Sequence, residues 1–390
     1  MRRLLSCLAR LIVLTSVCLS TQAVSQLSRP STPNIDLLTE LPVTSNESLQ
    51  GSTETPIAST PSSTTNSISV PGYAKYKGVN EEMWDRIAEI GDPLNCRARV
   101  EEVSKSVTQQ TLSACSGNCI NDALNANDVV ELRGGEYTIS GTIYVGQDKI
   151  LKGTLGERVI IRADGVSTGL EVDGGYSSNI EIQFAEEIGV KLRANALVHR
   201  VIVGNTGVNP TSNSAGFGIA MHGPESKNNC LVSVEAYNGF NEDGAGCESC
   251  YNGGNADGFT IKFGANNVTY IDSHAYQNSD DGYDFWKSGT PSDVPTIRIF
   301  YSSANLNGKH PTRSNSDGNG MKFGSSSDDY GARLVYGSEA CDNLAVGFDR
   351  NLTTEAVEIF NSTAKGNYLD FYETDNEVIS SDPNVLTCES

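Results

Sequence analysis

Three short segments of this 390-residue chain place acidic residues and a lysine at matching positions around glycines. Asn255–Phe259 reads Asn-Ala-Asp-Gly-Phe, Ser279–Asp284 reads Ser-Asp-Asp-Gly-Tyr-Asp, and Asp317–Lys322 reads Asp-Gly-Asn-Gly-Met-Lys. Aligned on Gly258, Gly282 and Gly320, the preceding residues are Asp257, Asp281 and Asn319, and those two positions after are Thr260, Asp284 and Lys322. A single Asp-Gly pair is a turn signal, because Asp tolerates left-handed backbone and bonds its own main chain. The set asks for more, since no turn needs Asp280 or Asp284. If the segments are successive coils of a solenoid, equivalent residues stack at about 4.8 Å per coil. Asp257, Asp280, Asp281 and Asp284 then crowd into one pocket, with Lys322 one coil beyond Asp284. Four close carboxylates are costly unless a hard cation compensates, and an oxygen-rich pocket suits Ca2+. The spacing is not that of an EF-hand loop. A lone lysine is ordinarily a solvated surface residue. Lys322 instead takes the place of Asp284 one coil on, between apolar Met321 and Phe323, which suggests proton transfer beside the cation.

Further cations stand near these segments. Lys262 and Lys287 follow Gly258 and Gly282 by four and five residues, and Lys309, His310 and Arg313 lie in the stretch before Lys322. They are candidates for gripping an anionic substrate, against the plain alternative of surface charge.

The elements that must hold these residues repeat. Asn267–Asn278, Thr296–Asn307 and Ala356–Asn367 share one pattern, and similar units start at Val201, Leu231, Val268, Ile297, Leu334 and Val357. Their spacings are 30, 37, 29, 37 and 23 residues by subtraction. Repeats of this size with alternating short strands and no long helix point to an all-β solenoid, with length variation in loops that wall a groove. A β-sandwich explains the repetition less well. The first coil is expected over Asp128–Val145. Short amphipathic helices are expected at Asn80–Ile90 and Asn118–Ala126, and an amphipathic helix of this kind is expected to cap the open N-terminal end. Asn46, Asn267, Asn351 and Asn361 begin Asn-X-Ser/Thr acceptor patterns.

Composition sets the compartment. Met1-Arg2-Arg3, the apolar run Leu4–Leu19 and the small residues after it read as a secretory signal over residues 1–25. Residues 26–72 are rich in Ser, Thr and Pro and read as a disordered linker, leaving 73–390 as the catalytic domain. Beyond the signal, eight cysteines remain, an even number that favours disulfides in a secreted chain without fixing their pairing. Cys247 and Cys250 have zinc-like spacing, but no second pair completes a site. A net charge of −20 argues against nucleic acid or an anionic membrane as partner. The chain is expected to be a monomer.

The motifs NADGF, NSDDGYD, DGNGMKFG and Gly347–Asn351 closely resemble the family 9 polysaccharide lyases, over roughly residues 120–375. The resemblance implies a right-handed parallel β-helix and a secreted, calcium-dependent pectate lyase acting on polygalacturonate. It implies Lys322 as general base, taking the C5 proton of a uronate whose carboxylate is held by Ca2+, with elimination of the C4 oxygen. Tyr283 stands where the family usually has Trp, and Met321 where it usually has Phe; both are expected to bear on substrate fit. Rival readings are a lyase for another uronate polymer such as alginate, a β-helix hydrolase using Asp280 and Asp281 as acid and base, and a non-catalytic calcium-stabilised carbohydrate-binding β-helix.

Overall fold

The computed structural model describes residues 78–207, 216–240, 254–288, 296–308, 317–324, 331–353, 356–372, 374–377, 384 and 386–388. The signal segment 1–25, the linker 26–72, Lys309, His310, Arg313, Cys247 and Cys250 lie outside the described residues.

Among the described residues all strand pairings are parallel, each joining one coil to the next. One face of the coil is a nine-stranded sheet running from Ile143–Val145 through Phe217–His222, Phe259–Lys262, Tyr283–Trp286, Met321–Lys322 and Val346–Asp349 to Leu369–Tyr372. The other two faces meet where the long strands Tyr176–Gln183 and Leu197–Gly204 turn a corner. The first half of Tyr176–Gln183 pairs with Ile150–Lys152, and the second with Ile160–Arg162. The corner is made by single left-handed residues, Asn179 at φ 51 and Arg200 at φ 54, and the same row continues through Ser233, Asp272 and Tyr301 to Asn361. Parallel crossovers of this kind are right-handed because strands twist that way. The fold is the all-β parallel β-helix expected from the repeats.

Alternation decides what fills the coil. Phe259, Tyr283, Met321, Phe348 and Phe371 stand in one inward row. The Phe259 and Tyr283 rings stack at 4.7 Å, and those of Phe348 and Phe371 at 5.2 Å. Tyr283 and Met321 are fully buried, and the Tyr283 hydroxyl donates to the Ser273 carbonyl at 2.7 Å. This corrects the expectation placed on them: their departures from the family pattern are exchanges between core neighbours, one strand position away from any outward face.

Ladders of small polar residues hold the second corner. Backbone N–H and side-chain amide of Asn278 both donate to Asn307 Oδ1; Asn307 does the same to Asn343, and Asn343 to Asn367. Serines form a parallel ladder, Ser273 to Ser302, Ser302 to Ser338 and Ser338 to Ser362. Gly218, Gly258, Gly282, Gly320 and Gly347 complete the corner. A Cβ on Gly282 would lie 2.6 Å from the Gly320 carbonyl and 2.8 Å from Asn307 Nδ2. The recurring Ser-X-Ala-X-X-Asn of the repeats is therefore a corner, and its residue types follow from how little room it leaves.

The register refines two sequence-based expectations. Val268, Ile297 and Val357 occupy one row, but Arg333 rather than Leu334 and Asn229 rather than Leu231 are their partners, and Val201 lies past the corner residue Arg200, paired with Ile180 on the next face. Both expected helices form. The end cap is Cys119–Ala126, whose Ile120, Ala123 and Leu124 join the main core. The helix Glu81–Ile90, started by Asn80 accepting from the Met83 N–H, lies with Cys96–Ser104 along the flank. Met83 and Ile87 pack there on Tyr176, Leu197, Ile271 and Phe300. These outward apolar residues would face water otherwise, and the helix covers them. Disulfides Cys96–Cys230, Cys115–Cys119 and Cys341–Cys388 fasten the flank, the cap and the C-terminal segment. Asn351 and Asn361 are both buried; Asn361 Nδ2 donates to the Tyr336 hydroxyl at 2.8 Å, and Asn351 Nδ2 to the Gly324 carbonyl.

Gly218 tests the corner away from the carboxylates. Its Cβ would meet the Gly258 carbonyl at 2.6 Å and the Ala236 methyl at 2.8 Å. Gly218→Ala should cost about 1–3 kcal/mol in chemical denaturation, and an unchanged midpoint would show that the corner can relax.

Candidate active site

Two features of the coil bring the acidic residues together. Asp257, Asp281 and Asn319 end the glycine corner, and their carbonyls accept from Gly218, Gly258 and Gly282 of the preceding coils at 2.9, 3.0 and 2.9 Å. Thr260, Asp284, Lys322 and Asp349 form an outward row on the nine-stranded sheet. Corner and row converge on one pocket. Asp257, Asp281 and Asp284 each offer an oxygen there, all within 4.8 Å of one another and all buried.

Hydrogen bonds aim these groups. Asp281 Oδ1 accepts from the Asn319 backbone at 2.7 Å and its side-chain amide at 2.9 Å, while Oδ2 faces Lys322 Nζ at 3.0 Å. Lys322 also pairs with Asp317 at 2.9 Å and stands 4.0 Å from Asp284 Oδ1. Lys262 is buried, with Nζ 2.9 Å from Asp284 and 3.4 Å from Asp257. Asp280 sits beside the trio, accepting the backbone N–H groups of Asn255 at 2.7 Å and Asp317 at 3.2 Å.

Five carboxylates thus share two ammonium groups. Burial raises Asp257 and Asp280 to about 7, and neighbouring aspartates push the same way. Asp281 is raised as well, by burial first. Both lysines are held above their ordinary value, because the surrounding aspartates outweigh the cost of burying an ammonium. The surplus of negative charge is therefore relieved on the acids. Asp284 Oδ1 is buried without a hydrogen bond. An unpartnered carboxylate oxygen beside hard oxygen donors is what a hard cation would fill, so the donor set fits Ca2+.

Of the residues singled out in the sequence, Asp257, Asp281, Asp284 and Lys322 meet in the pocket, with Asp280 at its edge. Lys262 flanks the pocket, as its spacing after Gly258 suggests, and is a counter-charge to Asp257 and Asp284 rather than plain surface charge. Lys287 lies outside it, 5.1 Å from the centre of the Trp286 ring. Asp317 and Asn319, which fix Lys322 and Asp281, carried no assigned role in the sequence; alignment of Asn319 with Asp257 and Asp281 was the signal available.

Residues 105–381 match the family model of the Pel9A-like, right-handed β-helix region. Pectate lyase L of Dickeya dadantii (strain 3937) is 28% identical over 145 residues, 37% of this chain and 32% of the relative. The match thus spans about a third of that relative's length. The crystal structure of pectate lyase Pel9A superposes with a TM-score of 0.55 at 22% identity, covering 71% of this chain and 74% of that one. A rhamnogalacturonan lyase structure gives 0.45 at 15%, covering 73% and 80%.

Charge crowding has a consequence for stability. Asp257 and Asp280 bind protons more tightly folded, at about 7, than at the ordinary 3.8. Their contribution is therefore present in acid and lost as pH rises through about 7, while the lysines stay protonated across that window. In chelator the melting temperature should fall between pH 4 and 7 by these values, and Ca2+ should flatten that fall. Identical curves with and without Ca2+ would remove the cation from the pocket.

Proposed function

We propose that this chain, which belongs to the Pel9A-like right-handed β-helix family, is a polysaccharide lyase that cleaves polygalacturonate by β-elimination. Asp257, Asp280, Asp281 and Asp284 are the residues to hold Ca2+, and Lys322 is the base. The observation that carries this reading is the placement of Lys322. It stands in register with Asp284 and 3.0 Å from Asp281, its side chain still reached by solvent.

The reaction needs a proton taken from C5 of a uronate, next to a carboxylate that resists further negative charge. When bound, Ca2+ supplies positive charge to that carboxylate and so lowers the cost of the carbanion. Lys322 Nζ takes the C5 proton, the C4–O bond breaks with its electrons on the leaving oxygen, and a C4=C5 double bond forms without water. Between Asp281 and Asp317 the lysine is held protonated, which is the wrong form for a base. It becomes a base only once its own proton is lost, which the neighbouring carboxylates delay, so turnover belongs to alkaline pH. Asn319 fixes Asp281 so that one oxygen remains directed at the lysine. Lys262 keeps the pocket from carrying an unopposed negative charge.

Extracellular action agrees with the three disulfides of the described residues and with the signal segment read at residues 1–25. No helix among the described residues is long and apolar enough to cross a membrane. The partner is an acidic polysaccharide, and nothing in the charge of −20 invites nucleic acid.

Ultraviolet absorbance of the unsaturated product, followed on polygalacturonate at mildly alkaline pH, tests this directly. Product should appear with Ca2+, vanish with chelator, and fall by about 10²–10⁴-fold in Lys322→Ala. The rate should climb from neutral to alkaline pH. A maximum in acid would overturn the lysine assignment, and product from alginate alone would move the substrate to another uronate polymer.

A further inference from the structure

Beyond the carboxylate row, the same sheet carries a cluster of aromatic rings that the elimination does not use. His222, Lys262 and Trp286 are the next outward row, in register with one another. The strands end immediately afterwards at Phe263 and Lys287, both left-handed, at φ 60 and φ 49. A phenylalanine in that region is a strained outlier that its surroundings must impose. The Phe263 N–H donates to the Trp286 carbonyl at 3.3 Å, and the Gly264 N–H to that of Lys287 at 2.7 Å. The result of this strain is a ring left 52% exposed.

The neighbours of that ring form a platform. Phe263 meets Trp286 edge to face at 4.9 Å and His222 at 5.9 Å, and His222 meets Phe217 at 5.3 Å. His222 is neutral, because burial and the nearby Lys262 and Lys191 hold it down at about 4. Lys287 Nζ lies 5.1 Å from the Trp286 centre, and Lys262 Nζ 4.6 Å from that of Phe217. Lys262 therefore belongs to both groups, touching Asp257 and Asp284 on one side and the Phe217 ring on the other. The platform is continuous with the carboxylate pocket.

We propose that Phe263 and Trp286, with Lys287 beside them, form a sugar-ring subsite that binds a uronate of the same polymer next to the one held at the carboxylate pocket. The proposal rests on the lyase reading given above. Aromatic faces pack on the C–H face of a pyranose, and the adjacent ammonium meets the ring's carboxylate. An uncharged apolar partner would find the Lys287 ammonium at its border, whereas a uronate suits both the rings and the ammonium.

Trp84 and Trp286 are the only tryptophans, and Trp84 lies on the flank with the helix Glu81–Ile90. Trp84→Phe thus makes Trp286 the sole tryptophan of the full-length protein, read by excitation that spares tyrosine. In a Trp84→Phe, Lys322→Ala variant with Ca2+, oligogalacturonates of increasing length should shift its fluorescence, and Phe263→Gly should weaken that response. In the otherwise active enzyme, Phe263→Gly and Phe263→Ala should raise KM on polygalacturonate about five- to tenfold with kcat nearly unchanged. Phe263→Gly should also keep or raise the melting temperature, because glycine accepts the left-handed backbone; a lower one would mark a structural ring. Unchanged KM and silent fluorescence, with unsaturated product still formed, would overturn the subsite and leave the lyase intact. A fluorescence response without product from any uronate polymer would keep the subsite and overturn the lyase.

Discussion

At one corner of the coil the backbones of Gly258, Gly282 and Gly320 run so close to the next carbonyl that no side chain fits between them. The Asn and Ser ladders beside that corner bond each coil to the next through both main chain and side chain. Together they forbid slippage. In a parallel stack a slip of one residue would exchange inward for outward positions along a whole strand, placing Tyr283 in water and Asp284 in the core. The site depends on this directly, since its members come from three coils and are neighbours only while the register holds.

Charge is the second organising constraint, and it is built on the first. Register forces Asp257, Asp281 and Asp284 together in a buried place, where ionised carboxylates are costly. The structure offsets this partly by drawing in Lys262 and Lys322 and partly by raising the acids. A lysine recruited as a counter-ion is a poor base, so the contacts that orient Lys322 also hold back its reactivity. Orientation and protonation state are controlled by the same carboxylates, and a cation competing for those carboxylates would act on both.

Much of this was legible in the sequence because stacking converts spacing into proximity. Alignment on three glycines was enough to place Asp284 beside Lys322, since residues in equivalent positions of a solenoid must meet. What spacing could not show was direction. Lys262 and Lys287 look alike in sequence, yet one turns inward over Phe217 and the other ends its strand in a left-handed turn. Tyr283 and Met321 lie between outward residues, and only strand alternation reveals that they face the core. The phase of the repeats was missed by one or two residues at Leu334 and Leu231, because single left-handed residues turn the corners without any fixed residue type. The aromatic platform was invisible for a related reason: Phe217, His222, Phe263 and Trp286 come from three coils and share no local motif.

Two buried asparagines outside the ladder bear on how such a chain can be made. Asn351 and Asn361 open acceptor patterns for N-linked glycans, yet both are buried, and their side-chain amides donate to Gly324 and Tyr336. A glycan is attached through that amide nitrogen, and a bulky, solvated sugar cannot occupy a buried position. Sugar attachment and burial of these amides are therefore mutually exclusive. In a secretory route that decorates nascent chains, folding of the last coils would become a race against the glycosylation machinery.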